Sequence, residues 1–238
     1  MSRWKSLLVI AIGIATAHNS LAQKHYNAWL RGTISTPVAT QIKIDNEGQY
    51  RRQNGLENSY FPGKHLMFSY RSWVHYQRNK ELKYSVSPFA YFSNYRIIKG
   101  KGDDTIEPTP EVRFTAAVEW QPGIRKQLAL ASRSAIEYRA LGSGHTDIVR
   151  LRSRLGLRYS LSRKLEADFF EELLFNFPGT NACCFWDQGR VGVDLGCRVL
   201  PDLKCNLGYM HITRSPMVSK DIFYEQNIYL NLTYKLAH

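Results

Sequence analysis

Polar and apolar residues alternate one by one along most of this chain. In VRLRSRLGLRYS, residues 149–160, Arg150, Arg152, Arg154 and Arg158 occupy even positions, while Leu151, Leu155, Leu157 and Tyr159 occupy odd ones. A helix turning 100° per residue would scatter both sets, whereas a strand segregates them onto two faces. The same period recurs in KHLMFSYRSWVHYQR, with Leu66, Phe68, Tyr70, Val74 and Tyr76 opposite Ser69, Arg71, His75 and Gln77. In EVRFTAAVEWQ, Val112, Phe114, Ala116, Val118 and Trp120 oppose Glu111, Arg113, Thr115 and Glu119. QLALASRSAIEYR places Arg133, Glu137 and Arg139 opposite Leu130, Ile136 and Tyr138. DQGRVGVDLGCRV sets Val191, Val193, Leu195 and Val199 against Gln188, Arg190, Asp194 and Arg198, and YEQNIYLNLTYKL ends the chain in the same way.

Read throughout, the pattern predicts strands near 27–36, 41–52, 65–78, 82–96, 110–121, 127–140, 147–160, 164–176, 186–200, 203–215 and 222–236. Tight turns fall at Arg78-Asn79-Lys80, Pro122-Gly123, Leu161-Ser162-Arg163 and Pro201-Asp202, alternating with longer connections at 97–109, 141–146, 177–185 and 216–221. Such alternation is what an antiparallel up-and-down meander produces when its tight turns share one end. The fold class is all-β. Single-chain barrels of this type normally have an even strand count and both termini at the same end. Ten strands, with 27–52 holding one strand and a loop, or twelve, with one strand unrecognised, is therefore the expectation.

Two all-β arrangements share this pattern. In a soluble sandwich or lipocalin-like barrel the apolar face points inward; in a transmembrane barrel it points outward. The strands are long enough to cross a bilayer at a tilt. Aromatic residues such as Tyr76, Trp120, Tyr138 and Tyr159 stand near strand ends on the apolar face, as at a headgroup girdle. The last strand carries an apolar residue at nearly every second place. These features favour a transmembrane β-barrel. An arginine facing lipid at mid-depth costs about 2–4 kcal/mol, so four on one strand would cost on the order of 10 kcal/mol, comparable with the stability of a domain. The ladder must then face the lumen, together with Arg71, Arg113, Arg133, Arg139, Arg190, Arg198, Lys83, Lys204 and Lys235. Glu111, Glu119, Glu137, Glu166, Asp168, Glu172, Asp194 and Glu225 share that face and are too few to neutralise it, although most charges can pair across neighbouring strands. Within DFFEELLF a bulge would exchange Glu171 for Glu172.

Composition adds an address. Arg3 and Lys5, the apolar run Leu7–Ala17 and the triplet Ser20-Leu21-Ala22 read as a secretory signal peptide over 1–22, leaving 23–238 as one barrel domain. The run falls short of the roughly 18 residues a membrane helix needs. Without Arg3 and Lys5 the formal charge falls from +12 to +10. In the cytosol such an excess would suggest nucleic acid, but export removes that partner. The expected partners are outer-membrane lipid and, during biogenesis, the barrel-assembly machinery. Cys183, Cys184, Cys197 and Cys205 show no metal-binding spacing, and neither a metal nor a cofactor is expected. Cys197 and Cys205 flank Pro201-Asp202 and would face each other across a hairpin, where a disulfide is permitted if the register agrees.

The order of several short motifs resembles an uncharacterised family of predicted outer-membrane β-barrels from Bacteroidetes-type Gram-negative bacteria, the domain of unknown function 2490. The resembling residues are Trp29, the stretch Glu47 to Arg51, Glu111 with Arg113, the set Arg133, Glu137 and Arg139, the run RLRSR, Glu172, DQGRVGVDLG at 187–196, LGYM at 207–210 and the closing LTYKL. The resemblance implies a barrel and an outer-membrane address, and carries no activity with it.

Three functions compete. The first is a structural barrel or a narrow, anion-preferring pore, in which pairing of Arg with Glu would plug the lumen. The second is an outer-membrane enzyme acting on lipid or peptide, for which the candidates are thin: His75 with Ser69 or Ser72, His145 with Ser143 and Asp147, and His211 with Thr213. A His within reach of both a Ser and an acid would mark it. The third is a surface-binding protein using loop residues Lys99, Lys101, Lys220, Asp103 and Asp104.

Overall fold

The computed structural model describes residues 24–57, 61–142, 147–177, 185–215 and 222–236. The leader expected over 1–22, Ser143, His145, Cys183, Cys184 and Lys220 lie outside these residues. The strands are β1 (Lys24–Ala39), β2 (Ile42–Gln53), β3 (Lys64–Gln77), β4 (Leu82–Asn94), β5 (Thr109–Trp120), β6 (Gly123–Arg125), β7 (Leu128–Leu141), β8 (Ile148–Ser160), β9 (Leu165–Asn176), β10 (Trp186–Leu200), β11 (Leu203–Arg214) and β12 (Phe223–Lys235). β5 pairs directly with β7, and β6 is a short side strand on β7 where the sequence suggested only a tight turn at Pro122-Gly123. The remaining eleven strands close into one barrel.

The odd number corrects the expectation of ten or twelve. The region 27–52 forms two full strands, β1 and β2, joined through Thr40-Gln41. Eleven strands running alternately up and down leave the first and last pointing the same way, so the ring closes through a parallel pair, β1 with β12, while every other wall pairing is antiparallel. β1 therefore begins at the end of the barrel that carries the longer loops, with Lys24 beside Tyr224. β12 finishes at the tight-turn end, with Lys235 beside Ser35. Side-chain acceptors shape the tight turns: Asn79 Oδ1 accepts from the amides of Glu81 and Leu82, and Ser162 Oγ from those of Lys164 and Leu165.

The outward face is apolar and exposed: Leu155, Leu157, Phe169, Val193, Leu195, Leu207 and Ile228 all stand free of the rest of the protein. Tyr76, Tyr84, Trp120, Tyr159 and Tyr234 ring this surface at the tight-turn ends of their strands, and Tyr91 and Tyr138 stand near the opposite ends. Inside, the buried residues are mainly polar, including Gln49, Ser69, Glu111, Glu137, Arg150, Glu172, Asp194 and Asn227. This inversion is the transmembrane-barrel arrangement.

Register shifts alter the facing at three places. In β4 a shift between Ser87 and Ala90 moves the inward set from Lys83, Ser85 and Ser87 to Ala90, Phe92 and Asn94. Between Trp186 and Gln188 a second shift turns both Asp187 and Gln188 inward. A third, between Arg51 and Arg52, buries Leu66, which simple alternation placed outside.

β9 keeps an unbroken register, so Glu172 faces the lumen and Glu171 faces outward midway along the strand, opposite Leu155 and Val191. Outward Asn46 accepts a hydrogen bond from the Tyr70 hydroxyl at 2.9 Å, but Glu171 has no such protein partner among the described residues. A carboxylate in the lipid belt is unfavourable. Replacing it by Glu171→Leu should raise the unfolding free energy of the purified barrel in lipid by on the order of 1 kcal/mol. Denaturant titration checks this, and a loss of stability in the variant would mean that the carboxylate is stabilising where it stands.

Candidate functional site: the charged lumen

The register of β7 to β10 sets Glu137 opposite Arg150, and Glu172 opposite both Arg154 and Arg190. Arg150 donates from Nη2 to Glu137 at 2.6 Å and from Nη1 to Asp187 at 2.8 Å. Arg152 bridges onward, giving Nη1 to Glu137 at 2.8 Å and Nη2 to Glu172 at 2.6 Å. Arg190 Nη1 then reaches the other Glu172 oxygen at 3.0 Å. The result is an unbroken chain, Asp187, Arg150, Glu137, Arg152, Glu172, Arg190, crossing four strands. Beside it Glu111 takes the guanidinium groups of both Arg113 and Arg139. The side chains of Glu111 and Glu137 are 0% exposed and that of Arg150 4%.

Toward the tight-turn end the pairs are separate. Asp168 receives Arg158, Glu119 lies 2.8 Å from Lys83 and 3.4 Å from Arg133, and Glu166 receives Lys204. Arg198, which parity puts on the inward face, is exposed at the mouth. Asp194 accepts from the Tyr229 hydroxyl at 3.0 Å and from Asn206 at 3.1 Å. Tyr229 reaches inward over Gly208, and Phe170 over Gly192, where a Cβ would collide with those rings.

Other lumen cations rest on aromatic faces. Arg154 lies 3.6 Å from the Phe170 ring centroid, Arg71 lies 5.0 Å from Trp73 and 5.2 Å from Phe92, and Arg51 lies 3.6 Å from Trp29. Among the described residues, none of these three arginines has a carboxylate within ion-pair distance. The sequence reading left Arg31, Lys43, Arg51 and Arg214 out of the inward cations, and Asp45, Glu47 and Asp187 out of the inward acids. Parity with Asn27, Thr33 and Gln49 would have found Arg31, Arg51, Asp45 and Glu47, but Trp29 on the inward face and Gly32 and Gly48 on the outward one blur the alternation. Asp187 enters only through the register shift.

His75 meets neither Ser69 nor Ser72. Its Nδ1 lies 2.7 Å from Ser85 Oγ, and its Nε2 is 3.1 Å from Asp45, so a serine, a histidine and an acid do come together. The Nε2 contact lacks hydrogen-bond alignment, and Asp45 is also held by Lys43 at 2.7 Å. Ser85 is 2% exposed. The arrangement is buried in the inner wall of the barrel. His211 stacks on Tyr224 on the outer face, and Asp147 accepts from the Tyr138 hydroxyl. Cys197 and Cys205 are register partners across β10 and β11, face outward, and carry free thiols.

In the loop between β4 and β5, Gly102 at φ 88° permits a short 3-10 turn, Asp103–Thr105. Asp103 accepts from the amides of Lys99 at 2.9 Å and Gly100 at 2.8 Å and pairs with Arg96. Asp104 pairs with Lys64. Both acids are thus engaged within the protein, and no group of residues fit to hold a metal ion occurs among the described residues. At the tight-turn mouth two hollows open, of about 490 Å³ beside Gln77, Lys83 and Glu119, and about 600 Å³ beside Glu166, Arg198 and Lys204.

Removing one partner of a buried ion pair leaves a charge unpaired and costs about 3–5 kcal/mol. Glu137→Gln should destabilise the folded barrel by that order, read by denaturant titration in detergent, whereas Glu57→Gln in the exposed loop should change it little. The Lys99 and Gly100 amides hold the Asp103 carboxyl below its ordinary range. Their contribution to loop order is therefore complete above the ordinary aspartate range and is lost as pH falls through the depressed value. The protection of amides 99–105, taken relative to the intrinsic exchange rate at each pH, should fall on acidification, and in Asp103→Asn already at neutral pH.

The barrel is similar to known structures. The NanC porin matches at 9% identity with a TM-score of 0.50, covering 89% of this chain and 99% of that one. LpxR from Salmonella typhimurium matches at 8% identity and a TM-score of 0.46, covering 80% and 83%. OmpT, an outer membrane protein of Vibrio cholerae, matches at 10% and 0.38, covering 78% and 56%. At 9% identity the NanC match speaks for fold only. Among curated proteins, none matches the chain. A family model described as protein of unknown function, DUF2490, matches residues 26–217.

Proposed function

The chain belongs to the DUF2490 family of proteins of unknown function, and from that starting point we propose that it is an outer-membrane barrel closed in its long-loop half by its own ion pairs, a structural barrel rather than an open channel. The observation that carries this reading is the burial of Glu111 and Glu137, each holding two guanidinium groups. In a water-filled channel such side chains would be solvated, so their burial supports a filled bore. Barrels of this strand number fall between the small ones filled by side chains and the large ones with an aqueous channel, so the fill decides.

The cationic excess supports a second, narrower reading. If thermal motion opens a passage, Arg71 and Arg154, with no carboxylate of their own among the described residues, would make it anion-selective.

Purified, heat-modifiable barrel in a planar bilayer should give no resolved current steps. Arg152→Ala with Glu172→Ala removes one cation and one anion together and should open steps whose reversal potential favours anions. Steady steps from the unaltered barrel would refute the closed reading.

A further inference from the structure

Arg31 and Arg51 occupy neighbouring inward positions on β1 and β2 toward the long-loop end of the lumen, where Arg51 is the register partner of Trp29. Arg51 gives Nη2 to Gln49 at 3.1 Å and lies over the Trp29 ring at 3.6 Å. The Nε atoms of Arg31 and Arg51 and the indole Nε1 of Trp29 are all buried without an acceptor. The charges acting most strongly on Arg51 are those of Arg190, Arg31, Arg113 and Arg214, every one cationic. Three of those four have carboxylates: Arg113 uses Glu111, Arg190 uses Glu172 and Arg214 uses Glu225. Among the described residues Arg31 and Arg51 have none, and Glu47, the next acid on the inward face of β2, pairs with neither.

A buried charge without a counter-charge is costly, and so is a buried donor without an acceptor. Guanidinium groups present a planar fork of N–H donors that matches the paired oxygens of carboxylate or phosphate. The indole N–H can supply a further donor to the same oxygens. We infer that Arg31, Arg51 and Trp29 form a binding site for a small oxyanion, of the phosphate or carboxylate class, inside the long-loop half of the lumen. The anion neutralises the arginine pair that the protein's own acids leave over, and Arg190 adds attraction from across the bore. This rests on the closed-lumen reading, because in an open aqueous channel solvent would screen these charges and hydrate the donors.

The test uses the full folded barrel in phosphate-free, lipid-free detergent, titrated with sodium phosphate or sodium acetate against sodium chloride at constant ionic strength. Thermal unfolding, followed by heat-modifiable gel migration, should shift upward in a saturable way with at least one oxyanion and not with chloride. Arg51→Gln should weaken the half-saturating concentration tenfold or more, and Arg51→Lys should weaken it while retaining the charge. Arg125→Gln, on exposed β6, should behave like the unaltered protein. If Arg51→Gln does not fold, Arg51→Lys carries the test alone. No oxyanion-specific shift in the unaltered barrel, or an equal shift in the folded Arg51 variants, overturns the site. Failure of the closed-lumen reading is separate, since it appears as bilayer conductance with or without the anion.

Discussion

The structure depends on one electrostatic constraint: a guanidinium group must meet a carboxylate, an aromatic face or water, and acyl chains offer none of these. The arginines along the membrane-crossing strands are therefore driven inward to the lumen, except Arg52, which stands one residue from the end of β2 on the outward face and donates to the Gly63 carbonyl. Once inside, the groups meet a second demand, since a narrow bore cannot hydrate so many charges. Pairing along Asp187, Arg150, Glu137, Arg152, Glu172 and Arg190 answers it by letting Glu137 and Glu172 each serve two guanidinium groups, with Asp187 ending the chain on Arg150. The wall strands are thus held together from within as well as by their backbone ladder. Because the chain of charges crosses β7, β8, β9 and β10, it couples the register of one strand to that of the next.

Where carboxylates run short, aromatic rings take their place. Trp73 and Phe92 serve Arg71, and Phe170 serves Arg154. A cation over such a ring gains about 0.5–2 kcal/mol, less than a buried ion pair, but the ring leaves the N–H donors free in its plane. The interior accordingly holds one continuous chain of ion pairs across β7 to β10 and, on β1 and β2, two arginines without a carboxylate partner among the described residues.

Much of this was legible in the sequence because period-two alternation carries its own facing information. The ladder in β8 needed only the cost of arginine in lipid to fix its direction, and the eleven segments read from alternation correspond to the eleven wall strands. The general preference for even counts then argued against that tally, because it assumes an antiparallel closure, and no local residue pattern reports how β1 meets β12. What stayed hidden lies where alternation is broken by the chain itself. The extra residue near Trp186 brings Asp187 inward, and the one near Pro88 switches the facing of β4. The proximity of His75, Ser85 and Asp45 depends on cross-strand register among β2, β3 and β4, which sequence spacing does not encode.

The parallel meeting of β1 and β12 has a topological consequence. Elsewhere around the wall, adjacent strand ends lie at the same mouth, so a few residues join them. At the seam the start of β1 and the finish of β12 lie at opposite mouths, and a covalent link would have to travel the height of the barrel, through the crowded bore or across lipid. A circularly permuted barrel opened at any other turn would therefore need a long crossover rather than a hairpin at this point. The seam fixes where the cylinder can begin and end.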